Sequence, residues 1–124
     1  MSSGTTTRPR FEAREVLLAK IAFPNGEIKQ RPILVISKFS SVIFNPPSSI
    51  LICLAITSNT NSDPHMIQIR NADMEENTFP RSSQVVCDNI FTILKTDVVK
   101  RIGKVKPNFY ETVIGMLKTK ILDI

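Results

Sequence analysis

From residue 15 onward, short apolar runs alternate with clusters of turn-forming residues, a pattern that predicts β-strands in a small barrel or sandwich. Glu15–Ala22 is the first expected strand. Phe23-Pro24-Asn25-Gly26 interrupts it, and Asn-Gly is a strong hairpin signal because the favoured tight turn needs positive φ at its centre. Arg31–Ser37 is the second expected strand, with Pro32 tolerated only at its start or on an edge, since proline has no N–H for a neighbour. Phe39–Ser49 contains Asn45-Pro46-Pro47 and reads as a loop. Ile50–Ile56 is apolar at nearly every position, which predicts a strand buried on both faces. Thr57–Pro64 is expected as a polar loop, Met66–Ile69 as a strand, Asn71–Ser82 as a second long loop and Ser83–Thr92 as a strand. Asp97–Lys100 suits one helical turn before a last short strand, Arg101–Val105.

The period then changes. Phe109, Val113, Met116, Leu117 and Ile121 fall on one face of a helix opened by Pro107. Gly115 costs that helix about 1 kcal/mol relative to alanine, so packing has to hold it. The expected fold is mainly β with a C-terminal helix: five to six strands in one domain over residues 14–124. Residues 1–13, rich in serine and threonine, cannot bury apolar surface and are expected as a disordered tail.

At 124 residues the chain has room for one domain, and 42% hydrophobic with 22% charged residues is a globular composition. Its apolar runs fall well short of the roughly 18–20 residues that cross a bilayer. The first residues have no apolar stretch of the signal-peptide kind, so a cytoplasmic location is expected. Cys53 and Cys87 sit in apolar runs without a Cys-x-x-Cys spacing, which predicts buried free thiols; whether the two are close enough to bond is open. The net charge of +5 favours a polyanionic partner. A local basic cluster comprises Lys95, Lys100, Arg101, Lys104 and Lys106.

Nucleotide-binding glycine loops, phosphate loops and His-Glu-x-x-His are all absent, and neither a cofactor nor a metal is expected. The single histidine, His65, excludes a multi-histidine site and reads as a surface residue at a loop end. Chemistry therefore falls to Arg, Lys, Asp, Glu, Ser and Thr. Candidates stand where strands meet loops: Gln30-Arg31-Pro32, Ile56-Thr57-Ser58, Val86-Cys87-Asp88-Asn89, and the basic stretch from Thr92 to Gly103.

The order of these features, with Ser-x-Val-x-Cys-Asp-Asn-Ile-x-Thr-Ile, the Lys-Arg-Ile-Gly strand and the final amphipathic helix, resembles the MazF/PemK toxin family over about residues 14–122. That resemblance implies an SH3-like small barrel of the CcdB/MazF type. It further implies a homodimer that cuts single-stranded RNA at short sequences without a metal and is neutralised by a cognate antitoxin. By motif position Arg31 matches the family's catalytic arginine and Thr57 its active-site threonine. Asp88 matches the acidic residue of the Cys-Asp-Gln motif in the Kid/PemK branch. Ser58 and Asn89 stand beside them, Asn89 where that branch has glutamine. With Lys29, Gln30 and Arg81 they are the substrate-binding candidates. Val86 stands where the branch carries an arginine two residues before its aspartate, and Phe91 replaces another arginine; Lys29 or Arg81 can restore the lost charge.

The chemistry of these residues suits such a reaction. Cleavage that uses the substrate's own 2′-hydroxyl needs only a proton acceptor, a stabiliser for the phosphorane and a proton donor for the leaving 5′-oxygen. Arg31 offers a planar fork for two phosphate oxygens. Thr57 and Ser58 can donate to a further oxygen. Asp88 can serve as base or can orient Arg31. The alternative is a catalytically silent CcdB-like barrel that acts as a protein- or RNA-binding module, which the changes at Val86 and Phe91 favour.

Overall fold

The computed structural model describes residues 11–37, 41–42, 49–58, 63–78 and 82–122. Among them, eight strands form one sheet: β1 (Glu15–Ala22), β2 (Ile28–Val35), β3 (Ser41–Val42), β4 (Ser49–Thr57), β5 (Met66–Ile69), β6 (Met74–Glu76), β7 (Ser83–Leu94) and β8 (Val98–Val105). Their order is β5-β7-β4-β2-β1-β8-β6 with β3 beside β4, and every pairing is antiparallel. Helix α1 (Pro107–Met116) follows and continues through a π turn at Leu117–Ile121.

The continuous apolar runs are explained by two cores, one on each face of the central strands. Val16, Leu34, Leu54 and Ile56 point to one side, where Phe109, Val113 and Leu117 of the C-terminal helical segment cover them. Leu17, Ala19, Ile33, Val35, Leu51 and Cys53, the alternate positions, fill the other side. Ile69 of β5 and Met74 of β6 come from opposite ends of the strand path yet belong to the helix-side core. The sheet therefore curls around that core as a small barrel does. The Tyr110 hydroxyl donates to the Ile36 carbonyl at 2.8 Å and ties the helix to the end of β2.

Several boundaries differ from expectation for local reasons. β2 begins three residues early, at Ile28, because the hairpin ladder with β1 runs on to the Ala22–Ile28 pair; Pro32 is tolerated within it because it pairs only with Leu18 of β1, the ladder to β4 starting at Ile33. The loop expected over residues 71–82 contains a 3₁₀ turn at Asn71–Asp73 and β6, and β3 lies within the loop expected at 39–49. The helical turn before β8 is a 3₁₀ turn at Lys95–Asp97. Phe11 packs on the second core, ahead of the expected domain start. In the hairpin only Gly26 takes positive φ, +87°, and Asn25 does not; the turn is closed by the Gly26 N–H, which donates to the Phe23 carbonyl at 2.9 Å. Gly103 is needed for contact: a Cβ there would stand 2.3 Å from the Glu76 carbonyl oxygen. Among the described residues no helix is long and apolar enough to cross a membrane.

Candidate active site

The second core opens at one end of the sheet into a cleft of about 950 Å³. Register explains what gathers there. The β2–β4 ladder pairs Ile33 with Ala55, and two further steps in that register bring Arg31 level with Thr57 on the same face. Both line the cleft, over an apolar floor that includes Ile21, Ile33 and Ile93. Arg31 is exposed; its Nη1 donates to the Gln30 carbonyl at 3.1 Å and its guanidinium lies 5.6 Å from the centre of the Phe23 ring. The Lys29 ammonium sits over the same ring at 5.4 Å and 4.0 Å from Glu27. One aromatic ring thus holds two cations at the cleft wall, where its quadrupole attracts both.

Asn89 reaches the cleft because of a bulge. Leu54 of β4 pairs with Ile90 of β7, but the next residue, Ala55, pairs with Val86. Cys87, Asp88 and Asn89 therefore have no partner on β4, and the strand re-aims their side chains. Cys87 turns into the helix-side core, Asn89 lines the cleft, and Asp88 points to a third place. Its Oδ2 stands 3.4 Å from Nδ1 of His65. The two stretches are held together by the Cys87 N–H, which donates to the His65 carbonyl at 2.9 Å.

Of the sequence candidates, Arg31, Thr57 and Asn89 meet in the cleft. Lys29 joins them through Phe23, Gln30 contributes its carbonyl to Arg31, and Ser58 is exposed just past Thr57. Arg81 lies outside the described residues. Val86 is half-buried; Phe91, also half-buried, packs on the second core and lines the cleft. Sequence reasoning missed Lys20 and Asp97, which also line the cleft. Lys20 follows from the β1 hairpin, since it pairs with Gln30; Asp97 has no comparable signal before the 3₁₀ turn is seen. It missed His65 as a neighbour of Asp88 as well, because the bulge that joins them is a tertiary feature.

The basic cluster does not act as one patch. Arg101 forms a two-pronged pair with Glu76 at 2.9 and 3.0 Å and also bonds the buried Glu15. Hydrogen bonding from Arg101 holds the Glu76 carboxyl below the usual glutamate range. The thiols are inert: burial pushes Cys53 up to about 12 and Cys87 up to about 11, and both are free.

Comparison with known proteins bears on the family and the fold. The family model described as PemK-like, MazF-like toxin of type II toxin-antitoxin system matches residues 12–120. No curated protein matches the sequence. Among solved structures, an endoribonuclease in complex with its cognate antitoxin from a mycobacterial species is similar with a TM-score of 0.68 at 18% identity, covering 91% of this chain and 95% of that one. The Mycobacterium tuberculosis toxin MazF-mt6 aligns at 0.65 with 21% identity, over 90% and 98% of the two chains. A MazE–MazF complex from Deinococcus radiodurans gives 0.67 at 14% identity, over 91% and 96%. At these identities the structural likeness is one of fold.

Proposed function

The chain belongs to the PemK- and MazF-like family of toxins of type II toxin–antitoxin systems, and from that premise we propose that it is an endoribonuclease cutting single-stranded RNA, messenger RNA included, by attack of the substrate's own 2′-hydroxyl. The observation that carries this is the meeting of Arg31 and Thr57 in one cleft, cationic at its wall and apolar at its floor. Arg31 stabilises the two non-bridging oxygens as the phosphorane forms, an interaction that grows as charge develops there. Thr57 donates to a third oxygen. Asn89 and the Phe23 and Phe91 rings meet the bases on either side of the scissile bond. Lys20, also in the cleft lining, protonates the leaving 5′-oxygen; with Arg31 meeting the charge on the phosphorane and the nucleophile supplied by the substrate, the step needs no metal.

Asp97 is the carboxylate in the cleft lining and the one placed to take the 2′-hydroxyl proton; Asp88, which the bulge turns out of the cleft toward His65, takes it only if it swings back past Asn89 when RNA binds. The similar structures that contain an antitoxin support a cognate antitoxin as partner. A homodimer is supported by Ile52, Ile90 and Leu94, apolar side chains 42%, 38% and 45% exposed on the adjacent strands β4 and β7. The deciding experiment incubates the purified chain with a long single-stranded RNA in EDTA, alongside Arg31→Ala, Asp88→Asn and Asp97→Asn. Discrete cuts ending in 2′,3′-cyclic phosphate, lost with Arg31→Ala, are expected; whichever asparagine variant is also silent marks the base. Intact RNA from the folded protein across many substrates would overturn the proposal.

A further inference from the structure

The contact between His65 and Asp88 has a third member. Asp63 brings a carboxylate oxygen near them, and the three potential ligand atoms all lie within 4.8 Å of one another. From this geometry we propose that Asp63, His65 and Asp88 form a binding site for one divalent transition-metal ion of the zinc type, at the edge of β7 and apart from the cleft lining.

Three observations carry it. First, His65 Nδ1 and Asp88 Oδ2 are 3.4 Å apart, longer than an ordinary N–H···O hydrogen bond of about 2.7–3.2 Å. Two ligands on a tetrahedral ion with bonds of about 2.0–2.1 Å stand about 3.4 Å from each other, so this pair has the spacing of donors that share an ion, and the Asp63 carboxylate, within 4.8 Å of both, closes on it by a side-chain rotation. Second, the backbone fixes the donors in advance. The His65 N–H donates to Asp63 Oδ1 at 2.7 Å, the Met66 N–H donates to the Asp63 carbonyl at 3.1 Å, and Cys87 N–H holds the His65 carbonyl. His65 is thereby clamped between its own turn and the bulge that presents Asp88, which lowers the ordering cost of binding. Third, the donor set is one imidazole nitrogen and two carboxylates. Nitrogen disfavours calcium and magnesium, which prefer all-oxygen shells, and suits zinc, cobalt or nickel. Three protein ligands leave a coordination position for water. All three residues are partly exposed, so a hydrated ion can reach them.

An ion held there occupies the Asp88 carboxylate. If Asp88 is the base of the proposed ribonuclease, occupancy slows cleavage; this consequence rests on that function, whereas metal binding itself does not.

The test is calorimetric titration of Zn²⁺, and separately Mg²⁺, into the RNA-free full-length chain, with Co²⁺ absorption to identify the ligands. One Zn²⁺ per chain is expected, with no comparable Mg²⁺ binding. Affinity should fall on the order of 100-fold in both His65→Ala and Asp88→Asn, since losing a ligand costs at least as much as losing an outer-shell partner. Circular dichroism checks that both variants are folded. The Co²⁺ spectrum should lack a thiolate charge-transfer band. Absent binding, equal binding in both folded variants, or a thiolate band pointing to Cys53 or Cys87 would each overturn the site.

Discussion

Two arginines flank β1 and have opposite fates. On one side Arg31 of β2 pairs across the ladder with Ala19; on the other Arg101 of β8 pairs with Leu17. Among the described residues the Arg31 side chain makes one hydrogen bond, to the adjacent carbonyl, and it lines the cleft. Arg101 spends its donors on Glu15 and Glu76. The same residue type, in the same sheet, is a ligand-binding group in one place and an internal fastener in the other. The difference lies in the neighbours: carboxylates surround Arg101, while an aromatic ring and a strand end surround Arg31. Counting basic residues cannot separate the two.

The contrast is broken most severely by activity. Arg31→Ala should cut RNA about 10³-fold more slowly while shifting stability by no more than about 0.5 kcal/mol, measured by single-turnover cleavage and urea denaturation. Arg101→Ala should do the reverse. It strands the buried Glu15 carboxylate and should cost about 2–3 kcal/mol, the figure being reduced from the fully buried case because Arg101 is partly exposed, with cleavage per folded molecule unchanged. An Arg101→Ala protein of wild-type stability would remove its role as fastener.

Acidity sharpens the same contrast. Because Arg101 holds the Glu76 carboxyl below its ordinary value of 4.5, the pair's contribution is fully present above that value and is lost as pH falls through the lowered one. Denaturation midpoints of the wild type should therefore fall more steeply below pH 4.5 than those of Glu76→Gln. On the other flank, Phe23→Leu removes the ring beneath Arg31 and Lys29 and should slow cleavage about two- to five-fold, the scale of a cation–π contact. Gly115→Ala, remote from both arginines, should raise stability by about 0.5 kcal/mol, since its Cβ meets nothing within 4 Å; thermal melting would show it as the smallest of these changes.

Much of the strand pattern was legible because burial on two faces writes itself as apolar runs, as in Val16–Ala19 and Ile50–Ile56, although the second run is not buried throughout: Ile52 is exposed. Met66–Ile69 was legible for the opposite reason, its alternation. β6 was hidden: of Met74-Glu75-Glu76 only the methionine is buried, and the segment is a strand because β8 offers it a ladder. Arg31 and Thr57 could be paired by motif order and were brought together by register. The direction of Asp88 was not legible, since it depends on three unpaired residues in β7. Nor could sequence show that Arg101 is engaged, because Glu15 and Glu76 are distant in the chain and meet it only across β1 and β6.

The pairing of β1 with β8 also governs how the molecule is made. Glu15–Ala22 is synthesised early, but one of its two flanks is completed by Val98–Val105, and Glu15 meets Lys104 only when most of the chain exists. Closing so long a loop is entropically costly and slow. During translation β1 can pair with β2 across the hairpin, yet its other edge stays bare, an open template for any passing strand. The ribosome must release nearly all of this polypeptide before that edge is covered, so the nascent chain passes through a period of self-association risk that the finished fold does not show.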